Sequence, residues 1–303
     1  MWPKIWKLTL KIIINFTPRV RVVSKGDVGI TTIVSHNHVD ILIFSIKALF
    51  FTWNASMPVN VIDDGTLMES DINKIKKHII GVIVRRKYQN DKKIFKLLKP
   101  YKYCLKYRKE KFRDRFYIKL FDPFLLPGYK KIIYIDSDVM FLNEPDEIIK
   151  WIRSKKIYGL YATVHKYPKD TFSSSKEWYV IERMFADRIC TNYPSDFSSG
   201  FMALNKSSYN LKRINDVLKY IYKIGLSDSW TPEQYSLGVL LSDIKSYDLE
   251  KKYVHLREVN QKLKKDLFSY VFLHFAYLSR NDYYKMALNL VFHTYFLRKK
   301  IND

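Results

Sequence analysis

Apolar runs of two kinds alternate along the first third of the chain. VGITTIV (Val28–Val34) is short and β-branched, as a buried strand is; SHNHVD breaks it, and ILIFSIKALFFTW (Ile41–Trp53) is long enough for a mostly buried helix. PVNVIDDG (Pro58–Gly65) predicts a second strand ending in a turn, ESDINKIKKHI a second helix, and GVIVR (Gly81–Arg85) a third strand. This β-α-β-α-β order implies parallel strands with helices on the faces of the sheet. The segment after Arg85 predicts helix, and KKIIYID returns to the sheet.

Beyond Glu144 the pattern loosens. KKIYGLYATV and SSGFMALN (Ser198–Asn205) read as strands, and SSYNLKRINDVLKYIYKIG reads as a helix ended by Gly225. TPEQYSLGVLLSD starts another helix, with Pro232 in its first turn, and YVFLHFAY is a last short strand. HKYPKDTFSSSKEW is polar and predicts a mobile loop. The expected class is α/β, with a Rossmann-like, mostly parallel central sheet and helices on both faces.

One predicted strand carries chemistry. KKIIYID runs into Asp136 and Asp138 with Ser137 between them. Strand alternation would set the two carboxylates side by side at the carboxyl end of the strand. Such a pair is unfavourable without a proton or cation between them. The carboxyl edge of an α/β sheet is also where ligands usually bind. The plain alternative is a solvated polar turn.

Charge sharpens the picture. The 303 residues carry a formal net charge of +23, with the basic residues densest between Arg85 and Lys119. That surface attracts polyanions: nucleic acid, anionic lipid or phosphorylated substrates. Tyr101, Tyr103, Tyr107 and Phe112 interleave with the lysines there, so a nucleic-acid-binding protein is one reading. Cys104 and Cys190, the two cysteines, form no metal or disulfide motif, and they suit a reducing compartment. With nine glycines and no GxGxxG or GxxxxGK[ST], glycine-rich phosphate cradles are absent; a sheet of this kind can still hold a nucleotide by clamping its diphosphate with a divalent cation, for which the two aspartates would supply hard oxygen ligands.

YIKLFDPFLLPGYKKIIYIDSDVMF resembles the donor-site segment of glycosyltransferase family 8, the group of glycogenin and bacterial lipooligosaccharide galactosyltransferases. Lys119 stands seventeen positions before Asp136 and is followed by Pro123, as in that family's pattern. FSSGFMALN resembles the family's FNSG strand, PEQYSLGVLL its DQ helix and LHFAYLSR its C-terminal HF-x-G-x-x-K block, in the same order. Ser198 replaces the family asparagine, Glu233 its aspartate, Tyr277 its glycine and Arg280 its lysine.

The resemblance implies a GT-A fold with a DxD motif at a strand end, and a metal-dependent, retaining hexosyltransferase. Asp136, Asp138 and His274 would hold Mn²⁺ or Mg²⁺, with a nucleotide-diphosphate sugar as donor. Ser35, Asp63, Lys119, Ser137, Ser198 and Arg280 would bind the donor, Glu233 and Gln234 would face its sugar, and the acceptor would be a glycan, a lipid-linked oligosaccharide or a protein. A sugar-1-phosphate nucleotidyltransferase and a catalytically degenerate protein are the other readings; nucleic acid is not the expected partner. His36 and His38 are read as a turn at a strand end.

No apolar run reaches the roughly 18–20 residues that span a bilayer. In MWPKIWKLTLKIIINF, however, Lys4, Lys7 and Lys11 share a helical face, while Trp2, Ile5, Trp6, Ile12 and Ile13 occupy much of the rest. The expected organisation is a membrane-associating segment over 1–20, the GT-A domain over 21–284, and a basic amphipathic helix over 285–303 that closes on Arg298, Lys299 and Lys300. The expected location is cytoplasmic, peripheral on an anionic inner membrane face.

Overall fold

The computed structural model describes residues 2–53, 57–110, 116–163, 176–194, 197–227, 231–249, 252–256, 269–275 and 282–291. The chain begins with α1 (Trp2–Phe16) and a short strand β1 (Val20–Arg21). It then alternates β2 (Val28–Val34), α2 (Val39–Thr52), β3 (Val59–Asp63), α3 (Glu69–His78), the two-residue β4 (Ile79–Ile80) and β5 (Ile83–Arg85). The basic stretch forms α4 (Lys87–Leu98), α5 (Lys102–Lys109) and α6 (Phe116–Leu125). After these come β6 (Lys131–Ile135), β7 (Val139–Phe141), α7 (Asp146–Arg153), β8 (Gly159–Thr163) and α8 (Lys176–Ala186). The chain continues through β9 (Phe197–Asn205), α9 (Leu211–Lys223), α10 (Thr231–Ser242), β10 (Ser246–Asp248), β11 (Tyr253–Leu256) and β12 (Phe272–Phe275). Residues 282–291 form a further helix, α11.

Seven strands make the central sheet in the order β10-β8-β9-β6-β2-β3-β5. The βαβ units pair parallel, as their order requires, and β9 runs antiparallel to both its neighbours. Period-2 alternation sends each strand's side chains into two cores. From β6, Ile133 and Ile135 join one face with Phe201 and Ala203 of β9, while Ile132 and Tyr134 join the other with Met202 and Leu204. Residues from α1, α2, α3 and α11 fill the first core, and residues from α4 to α6 and α8 to α10 fill the second. Burial on both faces explains why these strands read as unbroken apolar runs. Gly225 ends the α9 region with φ +73°, a backbone conformation open to glycine, as expected.

Three differences from the sequence reading matter. Residues 164–175 lie outside the described part, but from Lys176 the predicted loop is helix α8, whose Val180, Ile181 and Met184 are buried in the second core. The short strands β7, β10 and β11 were too brief to show a period. β7 and β11 flank β12 in a separate three-stranded sheet, which carries His274.

Candidate active site

β6 ends at Ile135, and the chain then turns through Asp136, Ser137 and Asp138 into β7. The amide of Val139 donates to the carbonyl of Asp136 across this turn, at 3.3 Å. Strand alternation therefore does not bring the two carboxylates together, as the sequence reading supposed; a turn does. Backbone bonds fix the turn on both sides. The Asp136 amide donates to the Gly200 carbonyl on β9 (2.8 Å), and the Phe275 amide on β12 donates to the Asp138 carbonyl (3.0 Å). The Ser137 carbonyl accepts from the Ser45 hydroxyl of α2 (2.8 Å), which in turn meets Tyr283 of α11.

The antiparallel register of β12 on β7 sets His274 opposite Val139, next in sequence to Asp138. His274 Nε2 lies 3.3 Å from Asp138 Oδ1 and 3.5 Å from Asp136 Oδ2. Among the described residues, these three form the group of potential ligands whose atoms all fall within 4.8 Å of one another. Two carboxylate oxygens and one imidazole nitrogen are a donor set that Mn²⁺ accepts, and Mg²⁺ tolerates with more oxygen ligands. Neighbouring ligands of an octahedral ion bound at about 2.1 Å stand roughly 3 Å apart, close to the separations here. The residues fit a divalent cation.

Gly200 makes room for the histidine. A Cβ at this position would lie 2.2 Å from His274 Cε1 and 2.3 Å from Nδ1. Gly200→Ala should therefore push the ring out of place. The expected result is a loss of stability of the ~1–3 kcal/mol typical of overpacking, seen as a lower Tm, and loss of the thermal shift expected when Mn²⁺ is added to the parent protein. An unchanged Mn²⁺ shift would separate His274 from the metal.

The next ring of residues is charged and buried. Lys119 Nζ, from α6, is 3.0 Å from Asp136 Oδ2, and the Tyr134 hydroxyl donates to the other oxygen of that carboxylate. Burial works against the charge on Lys119, but Asp136 and then Glu233 outweigh it and leave its pKa above the ordinary lysine value. A bidentate Arg108–Asp122 pair (3.0 and 3.1 Å), also fully buried, ties α6 to α5 and so positions Lys119. Glu233, near the start of α10, is 1% exposed. Its Oε2 accepts from the Ser199 hydroxyl at 3.2 Å, while Oε1 has no hydrogen-bond partner among the described residues. Burial pushes the Glu233 carboxyl up to about 7, with Lys119 opposing the shift and Asp136 adding to it.

The other expected site residues are placed less centrally. Gln234 turns its amide to the Phe197 carbonyl of β9 (2.9 Å), so its side chain braces α10 against the sheet. Ser198 is buried on β9, within 3.4 Å of the Gly200 amide. Ser35 and Asp63 sit together at the carboxyl edge, since Val34 and Asp63 are paired in register. Asp63 Oδ1 accepts from the amides of Gly65 (2.7 Å) and Leu67 (3.1 Å), and Arg86 faces its other oxygen. The DDG segment is thus a turn stabilised by its own aspartates, with Gly65 at φ +99°. His36 and His38 form a short 3-10 turn, and His36 pairs with Asp71 at 2.7 Å. Arg280 and Tyr277 lie outside the described residues.

No protein-family model matches the chain, and no curated protein matches it by sequence. Its backbone is similar to that of the galactosyltransferase LgtC, solved with donor and acceptor sugar analogues. The TM-score is 0.52 at 9% identity, over 86% of this chain and 94% of that one. It is similar also to mouse xyloside xylosyltransferase 1, with TM-score 0.50 and 11% identity over 82% and 98% of the two chains. For the bifunctional glycosyltransferase WbbM the TM-score is 0.54 at 10% identity, over 87% of this chain and 50% of that one. The fold is GT-A. In this GT-A chain the carboxylate–histidine cluster stands at the carboxyl end of β6, where the central sheet meets the small one.

Three residues of the site escaped the sequence reading: Tyr134, Ser199 and Gly200. Of these Gly200 alone carried a signal, since a glycine inside a strand often marks a close approach by another group. Ser199 acts through its hydroxyl on Glu233, a carboxylate that only the fold brings near, and Tyr134 acts on Asp136, two residues along the chain.

Proposed function

We propose that this chain is a metal-dependent glycosyltransferase that moves a hexose from a nucleotide-diphosphate sugar to a glycan, lipid-linked or protein acceptor. The observation that carries this reading is the convergence of Asp136, Asp138 and His274 beside buried Lys119 and Glu233, at the carboxyl edge of a GT-A sheet. The LgtC galactosyltransferase, similar in fold, was solved with donor and acceptor sugar analogues, which supports the same pair of substrates here.

When bound, Mn²⁺ or Mg²⁺ supplies Lewis-acid stabilisation of the diphosphate leaving group. Asp136, Asp138 and His274 would hold it, and Lys119 adds a fixed positive charge beside Asp136. Glu233 is buried, with one carboxylate oxygen that has no hydrogen-bond partner among the described residues, which suits it to steadying positive charge on the sugar as the donor bond breaks. Ser199 holds that carboxylate in orientation. Ser35, Asp63, Ser137, Ser198 and Arg280 complete our assignment of the donor site, with Gln234 beside Glu233 on the sugar side and a retaining outcome.

We place the protein on the cytoplasmic face of a membrane as a peripheral enzyme. Among the described residues no helix is long and apolar enough to cross a bilayer. The proposed activity is tested with a panel of nucleotide sugars in Mn²⁺, reading out nucleoside diphosphate with and without acceptor glycans. One donor should give release that EDTA stops. Pyrophosphate release from a sugar 1-phosphate and a nucleoside triphosphate, with no diphosphate from any donor, would replace this reading with nucleotidyl transfer.

A further inference from the structure

Helix α1 has two apolar faces, and the fold uses one of them. Leu10 and Ile14 are fully buried in the first core, where α1 packs on α2. Lys47 of α2 locks the end of the helix by donating to the carbonyls of Ile14 (2.8 Å) and Thr17 (3.0 Å). On the opposite side Ile5, Leu8, Ile12 and Phe16 are exposed, Phe16 to 84%. At 3.6 residues per turn these four fall within an arc of about 80°. They make one continuous stripe, pointing away from the body of the protein.

The charge around this stripe has a single sign. Residues 1–26 contain Lys4, Lys7, Lys11, Arg19, Arg21 and Lys25 and no acidic residue. Lys11, Arg19, Arg21 and Lys25 are exposed. Pairing of β1 with β4 brings this segment beside the end of α3, where Lys76 and Lys77 are exposed as well. We propose that the outward face of α1 is a docking surface for an anionic lipid bilayer, with Ile5, Leu8, Ile12 and Phe16 entering the interface and the surrounding cations meeting lipid headgroups. An apolar stripe rimmed by cations is the pattern of a helix that lies in the plane of a membrane interface. A protein partner would have to present an acidic rim around an apolar groove, whereas an anionic leaflet offers both over any area.

This surface differs from the one the sequence suggested. Ile5 and Ile12 are exposed, as the sequence suggested, Leu8 and Phe16 join them on the outer face, and Ile13 is half-buried against the core; the side chains of Trp2 and Trp6 lie outside the described part. Because Lys47 and the buried residues fix α1 to α2, the helix docks as a rigid part of the GT-A body. The inference is independent of the transfer chemistry.

The test is co-sedimentation of the full chain with phosphatidylcholine vesicles, with and without phosphatidylserine. Binding should require phosphatidylserine and weaken as salt rises. Replacing Ile5, Leu8, Ile12 and Phe16 together by serine should lower partitioning at least about tenfold, because both the apolar and the charge contributions are needed for stable attachment. Phe16→Ala alone, at a position too exposed to disturb folding, should lower it several-fold. Donor hydrolysis in solution by these variants should match the parent protein, which keeps this test apart from that of the enzyme reading. Absence of vesicle binding by the parent, or equal binding by the parent and Phe16→Ala, would overturn the proposal. So would a dimer in analytical ultracentrifugation that the serine variant breaks while vesicles bind neither form; the stripe would then belong to a second copy of the chain.

Discussion

Asp138→Ala is expected to abolish both sugar transfer and donor hydrolysis while leaving the protein folded. Asp138 is buried, and its carboxylate faces His274 at 3.3 Å. The bond that holds the turn to β12 uses the backbone carbonyl of Asp138, and alanine keeps it. What alanine removes is one of the three potential metal ligands. Losing a ligand of this kind costs several kcal/mol of transition-state stabilisation, so turnover should fall roughly a thousandfold or more. Titration calorimetry with Mn²⁺ should show the matching loss of affinity, with a circular dichroism spectrum like that of the parent. Near-normal turnover of Asp138→Ala in EDTA would end the metal-dependent reading.

Glu233→Gln should act on the reaction and spare the nucleotide. It keeps the shape of the side chain and its contact with Ser199 but removes the negative charge. We expect a strong loss in kcat with nucleoside diphosphate affinity near that of the parent. The parent's rate should also rise with pH through about 7, where Glu233 ionises, and this limb should vanish in the variant. The same residue makes a stability prediction of definite sign. Burial raises the folded pKa of Glu233 from 4.5 to about 7, so the folded state holds a proton that the unfolded state has already released. Stability therefore falls as pH rises from about 4.5 to 7, and the penalty, on the order of 3 kcal/mol, is complete above that. In EDTA at pH 8, Glu233→Gln should melt at a higher temperature than the parent, and at pH 4 the two should be nearly equal. A variant that binds nucleotide poorly yet turns over well would mean that α10 faces the nucleotide and not the sugar.

Much of the architecture is legible in the sequence. The runs at Val28–Val34, Pro58–Gly65 and KKIIYID stood out because strands buried on both faces must be apolar at nearly every position. Helix α8 was not legible: its buried Val180, Ile181 and Met184 follow a polar serine-rich stretch that reads as loop. The Asp136–Asp138 pair was visible as a spacing and Lys119 only through the family resemblance, and the fold joins Lys119 to Asp136 through a 3.0 Å ion pair.

By itself the sequence determined what each segment could be: which runs are strands, where acids interrupt an apolar strand, which helix is amphipathic. These follow from interactions between near neighbours and from the period of burial. Only the tertiary structure decided what those segments do for one another. Without the family resemblance His274 reads as an ordinary core histidine; the pairing of β12 with β7 sets it against Asp138. The resemblance set Glu233 toward the sugar, but only the packing of α10 buries it against Ser199 in the field of Lys119. Helix α1 carries apolar residues on two sides, and its docking onto α2 chose which side became core and which was left facing outward. Strand pairing and the removal of water are properties of contacts between residues distant in the chain, and no local pattern encodes which contact will form.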